Sequence, residues 1–381
     1  MDTANHRLTA RRPAPKRKSG FQLDIPFLLL TLILTAVGIL MMFSARYARA
    51  FQVEGSSTYY LTRQAVFAVL GIAAMLGMCV VGYGWLRRWS FAILALALVL
   101  LAAVPFIGVE ANGAVRWINL GFTTFQPSEL AKLAVVVTFA TLISGFKDKM
   151  QTFRYGVLPF ALILVVIAGL LLLEPHLSAT VIIFALGAAM MFQGGTKIRW
   201  FVILAVVAVA GFLVLTSAGY TARRIAAWKD PFSDPSDAGY QVVQSLYAIG
   251  SGGLFGLGFG KSRQKLLYLP EEHNDYIFPI VCEELGFVGA ALIILLFILL
   301  IVRGYWIAMH AKDRFGALLA GGLTTLLALQ VFLNIGVVTN FLPATGISLP
   351  FFSYGGTALV LQLAEMGVIL AVSCKSDNNL L

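Results

Sequence analysis

Long runs of apolar residues recur along the chain, and shorter polar stretches separate them. An α-helix needs about 20 apolar residues to cross a bilayer, and ten runs approach or exceed that length. These runs cover residues 25–46, 60–82, 90–108, 127–145, 156–173, 178–193, 198–217, 277–302, 316–339 and 354–374. The pattern therefore predicts an all-α integral membrane protein, a polytopic bundle of ten transmembrane helices.

Composition and charge add an orientation to this bundle. Of the 381 residues, 59% are hydrophobic and 12% are charged, which is more apolar surface than a soluble protein can bury. With the N-terminus inside, the cytoplasmic segments hold 17 of the 28 Lys and Arg residues, which predicts an N-in, C-in topology. Residues 25–374 then form a single transmembrane domain, and residues 218–276 form a large outer loop between spans 7 and 8.

The net charge of +10 follows from this cytoplasmic bias and from a basic tail, residues 1–24. We expect the tail to be disordered and cytoplasmic, and to meet the anionic head groups of membrane lipid. The charge therefore requires no nucleic acid as a partner. The three cysteines are isolated, so neither a disulfide framework nor a metal spacing is predicted.

The end of the large loop carries an unusual density of acids immediately before an apolar run. Its ionisable residues are Glu271, Glu272, His273 and Asp275, and the run itself begins with Glu283 and Glu284. Carboxylates at the mouth of a membrane segment are costly and are therefore functional candidates. The alternative is a solvated loop end whose acids favour the start of the next helix.

A second polar block ends the connection before the fourth predicted span. Pro127 suits the first turn of a helix, and Glu129 then lies near its positive end. Lys132 follows three residues later on the same face, roughly 7–8 Å into the span. Such a pair indicates a protein-lined or wet cavity, or else a structural ion pair that fixes the helix. Trp117, beside Arg116, is either an interfacial anchor or a stacking platform for a sugar ring.

The large loop also contains a predicted amphipathic helix over residues 239–249, which we expect to lie on the outer leaflet. A glycine-rich stretch follows over residues 250–260, and no strand precedes it, which argues against a nucleotide-binding loop. Basic residues come next, at Lys261, Arg263 and Lys265. Cations beside a pyrophosphate and an acid beside a hydroxyl are what glycosyl transfer from a lipid pyrophosphate would need.

Taken together, these blocks resemble the SEDS family (shape, elongation, division and sporulation) over residues 25–374. The motifs that carry the resemblance are Arg116-Trp117-Ile118, Gln126-Pro127-Ser128-Glu129 with Lys132, Gly250 to Gly260, Leu269-Pro270-Glu271, His273 to Phe278, Glu283-Glu284-Leu285-Gly286, Pro343-Ala344-Thr345-Gly346, and Leu349-Pro350-Phe351 to Gly355-Gly356. The chain departs from the family pattern at the hairpin Glu174-Pro175-His176, where many relatives have Gln-Pro-Asp. No acidic role can therefore be carried over to His176.

The resemblance implies a multi-pass protein of the bacterial cytoplasmic membrane, a peptidoglycan glycosyltransferase that polymerises lipid II on the outer face. Lipid II is an undecaprenyl-pyrophosphate disaccharide-peptide, and a class B penicillin-binding protein is the implied transpeptidase partner. The resemblance gives Asp275 the catalytic position. We expect the substrate-binding residues to be Arg116, Trp117, Glu129, Lys132, Lys261, His273 and Glu283. No organic cofactor is expected, whereas magnesium or manganese could be held by Glu271, Glu272 and Asp275.

Two other functions compete with the enzyme, namely a lipid II flippase and a scaffold that only recruits the transpeptidase. A transporter would favour charges near the bilayer midplane and internal repeats. This chain has no evident repeat, and its ionisable residues cluster at the outer ends of the predicted spans. A scaffold has no need for Asp275, Glu129 or Lys132. The pattern therefore favours the enzyme, and the resemblance implies that it acts in cell division, elongation or sporulation.

Overall fold

The computed structural model describes residues 23–111, 114–174, 176–204, 228–233, 239–265 and 274–374. Long helices dominate these residues. They are α1 (Ile25–Glu54), α2 (Tyr59–Val81), α3 (Gly84–Ile107), α4 (Pro127–Phe146), α5 (Leu158–Leu173), α6 (Leu177–Gln193), α7 (Tyr240–Ser251), α8 (Ile277–Met309), α9 (Arg314–Val338) and α10 (Gly356–Cys374). A short 3-10 helix over Lys147–Gln151 and one turn over Phe153–Gly156 connect α4 to α5.

Helix starts follow the local sequence. The Asp24 side chain accepts a hydrogen bond from the Phe27 amide at 3.0 Å, and Pro26 occupies the first turn of α1. Asp313 caps α9 in the same way by accepting from the Gly316 amide at 3.0 Å. Pro127 opens α4, as its sequence context predicts.

Eight helices among the described residues are long and apolar enough to cross a membrane, and α6 is a shorter apolar helix. Their positions agree with nine of the ten predicted spans. Residues 198–204 are helical, and the rest of the predicted seventh span, 205–217, lies outside the described residues. The chain is thus a polytopic helical membrane protein. The predicted tail lies almost wholly outside the described residues as well.

The connection between α3 and α4 differs from the all-α prediction because it contains a small antiparallel sheet. Strand β1 (Gly108–Ala111) pairs with β2 (Ala114–Asn119), and β2 pairs with β3 (Thr124–Phe125). The register places Val109 opposite Trp117 and Ile118 opposite Phe125. We call the end of the bundle that carries this sheet the sheet end.

The predicted amphipathic helix exists as α7, but the prediction that it lies on the outer leaflet is wrong. Val242, Val243 and Ala248 are buried, and α7 packs against α8 and α9. The Ser245 hydroxyl donates to the Val338 carbonyl at 2.6 Å, at the end of α9. The apolar face of α7 therefore covers protein.

The glycine-rich stretch after α7 is built into a break in α8. At Gly286 the backbone leaves the helical conformation, with φ 69° and ψ −171°. The amides of Leu257 and Gly258 donate to the carbonyls of Glu283 and Glu284, at 2.9 and 3.1 Å. In return the amides of Phe287 and Val288 donate to the carbonyls of Gly253 and Leu254, at 2.9 and 3.1 Å. The loop thus replaces helix hydrogen bonds that the break removes.

Gly256 allows this close approach and supplies a first test. Its φ is +80°, and a β-carbon there would overlap the Glu284 carbonyl. We expect Gly256→Ala to lower the free energy of unfolding of the detergent-purified protein by about 1–3 kcal/mol. The measurement is a lower thermal unfolding midpoint than that of the wild type. Gly250→Ala is the matched control, because Gly250 has no atom near that position and no positive φ. Equal midpoints for the two variants would contradict the interpretation of the loop.

Candidate active site

A cavity of about 1100 Å³ opens at the sheet end of the bundle. Five of the residues predicted from the sequence line it together: Arg116, Trp117, Glu129, Lys132 and Asp275. They come from three separate regions of the chain, namely strand β2, the first turns of α4, and the residues before α8. The predicted grouping of acid, cations and aromatic ring in one place is therefore what the fold produces.

The backbone around Asp275 is held by α9 and by the connection to α10. The side-chain amide of Asn334 donates to the Asp275 carbonyl at 2.8 Å and to the Ile347 carbonyl at 2.6 Å. The Ser353 hydroxyl donates to the Asn274 carbonyl at 2.7 Å. At Gly346 an added β-carbon would lie 2.8 Å from the Asp275 carboxylate. The absence of a side chain at Gly346 therefore leaves room for that carboxylate. The uncharged connection after α9 thus lines the cavity, as irregular backbone in a membrane protein should.

Glu129 and Lys132 form the predicted ion pair. Lys132 Nζ lies 2.7 Å from Glu129 Oε2, one turn apart on α4. The lysine side chain is only 4% exposed, whereas that of Glu129 is 24% exposed. The ammonium therefore depends on its carboxylate partner more than the carboxylate depends on the ammonium.

Two further cations reach the same cavity, and sequence reasoning missed them. The Arg46 guanidinium lies 3.5 Å from the centre of the Tyr60 ring and 5.1 Å from that of Tyr354. Arg63 donates to the Phe122 carbonyl in the turn between β2 and β3. Four cations and two carboxylates among the described residues line the cavity, which suits an anionic substrate. The sequence signal for Arg63 was its position inside a predicted span.

Two predicted substrate-binding residues do not line this cavity. Lys261 is exposed after the glycine-rich stretch. Glu283 is 1% exposed and accepts hydrogen bonds from the Ser262 hydroxyl and from the Arg263 amide, the latter at 2.9 Å. Its carboxylate is therefore occupied in holding the loop in place. The predicted substrate roles of Lys261 and Glu283 receive no support from their positions.

Lys265, a candidate cation for the pyrophosphate, is also committed elsewhere. It is 2% exposed, and its ammonium lies 2.7 Å from Glu284 Oε1 and 3.2 Å from the Ser44 hydroxyl. The Ser44 hydroxyl in turn donates to Glu284, at 2.6 to 2.7 Å. This buried cluster joins α1, the loop and α8. Arg263, the remaining cation of the run, is exposed.

His273, Glu271 and Glu272 lie outside the described residues, so their predicted roles stay predictions. Within the described ranges, no group of three or more His, Cys, Asp or Glu side chains could hold a metal ion. The described residues alone therefore do not supply a divalent-cation site.

Three buried titratable residues near the cavity were also missed as candidates. Glu174 and His176 belong to the hairpin between α5 and α6, and burial raises the pKa of Glu174 to about 7. Burial, together with the charges of Arg116 and Lys132, lowers the pKa of His176 to about 3. Glu365 lies in the middle of α10, within electrostatic range of Lys132. The sequence signal for Glu365 was its position as the one acid inside an apolar predicted span, because an acid within a membrane span is costly.

The fold and the cavity define a class of protein: a polytopic helical membrane protein with a positively lined, partly acidic cavity at one end of the bundle. The chain belongs to the SEDS family, since the family model described as "Cell cycle protein" for FtsW, RodA and SpoVE matches residues 25–378. The resemblance seen in the motifs is thereby confirmed.

Relatives and solved structures agree with this family. The chain is 40% identical to the "Probable peptidoglycan glycosyltransferase FtsW" of Geobacter sp. (strain M18), over 94% of this chain and 98% of the relative. It is 41% identical to the "Stage V sporulation protein E" of Bacillus subtilis (strain 168), over 92% and 96%. The fold is similar to a chain of a peptidoglycan synthase complex that couples polymerization and crosslinking, with TM-score 0.77, 28% identity and coverage of 92% and 97%. It is also similar to the rod shape determining protein RodA of Thermus thermophilus, with TM-score 0.70, 28% identity and coverage of 94% and 99%.

The unequal burial of the Glu129–Lys132 pair leads to a prediction. Glu129→Gln leaves a buried ammonium without its nearest carboxylate, at a cost of about 3–5 kcal/mol for a fully buried charge. Lys132→Ala leaves a carboxylate that water can reach, so its cost in stability is smaller. Thermal unfolding midpoints in detergent measure both. The double variant Glu129→Lys, Lys132→Glu keeps both charges but exchanges their positions, so it tests whether the positions matter as well as the charge balance. Full tolerance of both single variants would count against the pair.

Proposed function

We propose that this chain is a peptidoglycan glycosyltransferase that polymerises lipid II into glycan strands. The observation that carries the proposal is the single cavity that unites Asp275 with Arg116, Trp117, Glu129 and Lys132. A cavity of this kind offers a base, cations for a pyrophosphate and an aromatic surface for a sugar. The names of the relatives support the same activity.

In the proposed reaction a hydroxyl of the acceptor sugar attacks the anomeric carbon of a donor lipid II. The new glycosidic bond forms as the bond from that carbon to the pyrophosphate oxygen breaks, and the lipid pyrophosphate leaves with the electron pair. Asp275 accepts the hydroxyl proton. A positioned base of this kind typically contributes about 10²–10⁴-fold to the rate. Asn334 and Ser353 serve this step by holding the backbone at Asp275 and Asn274.

The leaving group requires positive charge, because negative charge develops on it in the transition state. Arg116 and Lys132 are the proposed partners, and Arg46 and Arg63 join them as further cations of the same cavity. Trp117 is the proposed stacking surface for a sugar ring. His273 stays a proposed substrate contact on the strength of its motif.

A divalent cation is a separate hypothesis that we propose for the same site. Magnesium and manganese prefer oxygen ligands, which Glu271, Glu272 and Asp275 could supply together. When bound, such an ion would neutralise charge on the pyrophosphate. Lipid II polymerisation in excess chelator tests the hypothesis, and an unchanged rate would reject it.

We also propose the membrane arrangement that the short loops favour. The chain would cross the bacterial cytoplasmic membrane ten times with both termini inside, so that the cavity faces outward. Residues 1–24 would be a cytoplasmic tail ahead of one transmembrane domain. Reaction on lipid II at the outer face then requires no soluble domain of this chain.

The first prediction from the mechanism concerns Asp275. Asp275→Asn keeps the size of the side chain but removes the base, so we expect polymerisation of labelled lipid II to fall by about 10²–10⁴-fold. The assay uses protein purified in detergent, where no membrane exists to flip across, so activity there separates an enzyme from a flippase or a scaffold. A wild-type rate in the variant would remove Asp275 from the mechanism.

The second prediction concerns the partner. One solved relative belongs to a peptidoglycan synthase complex that joins polymerization and crosslinking. We propose that this chain likewise binds a class B penicillin-binding protein, a single-span transpeptidase. Co-expression and purification in detergent should then recover both chains in constant ratio. Recovery of this chain alone, under conditions where it remains folded and active, would contradict the complex.

A further inference from the structure

The hairpin between α5 and α6 contains a carboxyl group whose role the mechanism leaves open. Glu174 is 1% exposed, and neither of its side-chain oxygens has a hydrogen-bond partner among the described residues. A buried carboxylate without hydrogen bonds is strongly unfavourable relative to one in water. A nearby positive charge would stabilise its ionised form.

Arg116 is the group that can do this. Its Nε donates to the backbone carbonyl of Glu174 at 3.5 Å, so the guanidinium lies against the hairpin while it lines the cavity. Among the described residues, the charge of Arg116 is the one that lowers the pKa of the Glu174 carboxyl, against the effect of burial. His176, from the same hairpin, faces the cavity in its neutral form and adds no charge near neutral pH.

We propose that Glu174 is a proton-coupled counter-ion of Arg116. In the empty cavity the positive charge of the guanidinium favours the ionised carboxyl without a hydrogen bond to it, and when a pyrophosphate group binds Arg116 those carboxylates that are ionised take up a proton from water. The proton returns to water when the pyrophosphate leaves. The inference rests on the proposed function in one respect, the assignment of the pyrophosphate to Arg116. Glu174 itself touches neither sugar and is a positioning residue.

The electrostatics give the direction of the effect. Burial raises the pKa of Glu174 to about 7, and Arg116 opposes that rise. A bound pyrophosphate neutralises the guanidinium and adds negative charge nearby, so the pKa of Glu174 rises further in the complex. A group whose pKa is higher in the complex takes up protons on binding. The affinity for pyrophosphate therefore falls as pH increases above the pKa of the empty state.

The size of the effect follows from the same values. Between about pH 6 and about pH 8, a carboxyl with a pKa of about 7 passes from mostly neutral to mostly ionised. The dissociation constant of the wild-type chain should therefore rise by up to about tenfold more over this range than that of a chain without the carboxyl. The phosphate groups of the ligand also titrate here, but they contribute equally to both chains.

The test measures the binding of a probe, farnesyl pyrophosphate, to the full-length chain in detergent. Isothermal titration calorimetry gives the dissociation constant at each pH. Glu174→Gln should bind the probe with the shallower pH dependence of the ligand alone, whereas Glu174→Asp should keep a steep one. Glu110→Gln is the matched control and should follow the wild type, since Glu110 is an exposed carboxylate on β1, the strand paired with the one that carries Arg116. Parallel pH profiles for wild type and Glu174→Gln would overturn the proposal.

A second measurement does not depend on any variant. Titration of the wild-type chain near pH 7 in two buffers of different ionisation enthalpy counts the protons taken up with the probe. Uptake beyond that of the ligand itself supports the proposal, and its absence, or the absence of measurable binding, overturns it. A chain that polymerises lipid II but shows no such uptake rejects only this inference. A chain that takes up protons with the probe but never polymerises lipid II rejects only the proposed function.

Discussion

Backbone amides and carbonyls must find partners inside a membrane protein, and at the break in α8 at Gly286 this constraint determines how the glycine-rich loop packs. The glycine-rich loop supplies the missing partners through four backbone hydrogen bonds to residues on both sides of the break. One turn earlier, the carboxylates of Glu283 and Glu284 hold the loop at Ser262 and Lys265. The chain is therefore fixed on both sides of the segment that leads to Asp275. Lys265 is held by Glu284, and the Asp275 carbonyl accepts a hydrogen bond from Asn334.

The same constraint explains how much the sequence could predict. Hydrophobic runs locate the spans, because a bilayer admits few other structures. Helical spacing likewise predicts that Glu129 and Lys132 share a face, and their pairing at 2.7 Å confirms it. Both inferences use neighbours along the chain and need no knowledge of the packing.

Long-range pairings were beyond such reasoning. The partners of Lys265 include Ser44, which is 221 residues away in the sequence, so nothing local distinguishes this lysine from the exposed Lys261. The small sheet was missed because its strands are two to six residues long and too short to show a period. Arg46 joins the cavity through the rings of Tyr60 and Tyr354, which lie on other parts of the bundle.

Two polar contacts of α1 with α8, an ion pair and a hydrogen bond, have a mechanical consequence. At one end Asp24 binds Arg303, with Nη2 at 2.9 Å from the carboxylate, and at the other Ser44 binds Glu284. The two attachment points lie about 30 Å apart along α1, which is the thickness of the hydrocarbon core. Two contacts at this separation oppose sliding and rotation of α1 against α8. We therefore expect α1 and α8 to move together if the bundle opens to admit a bulky lipid substrate.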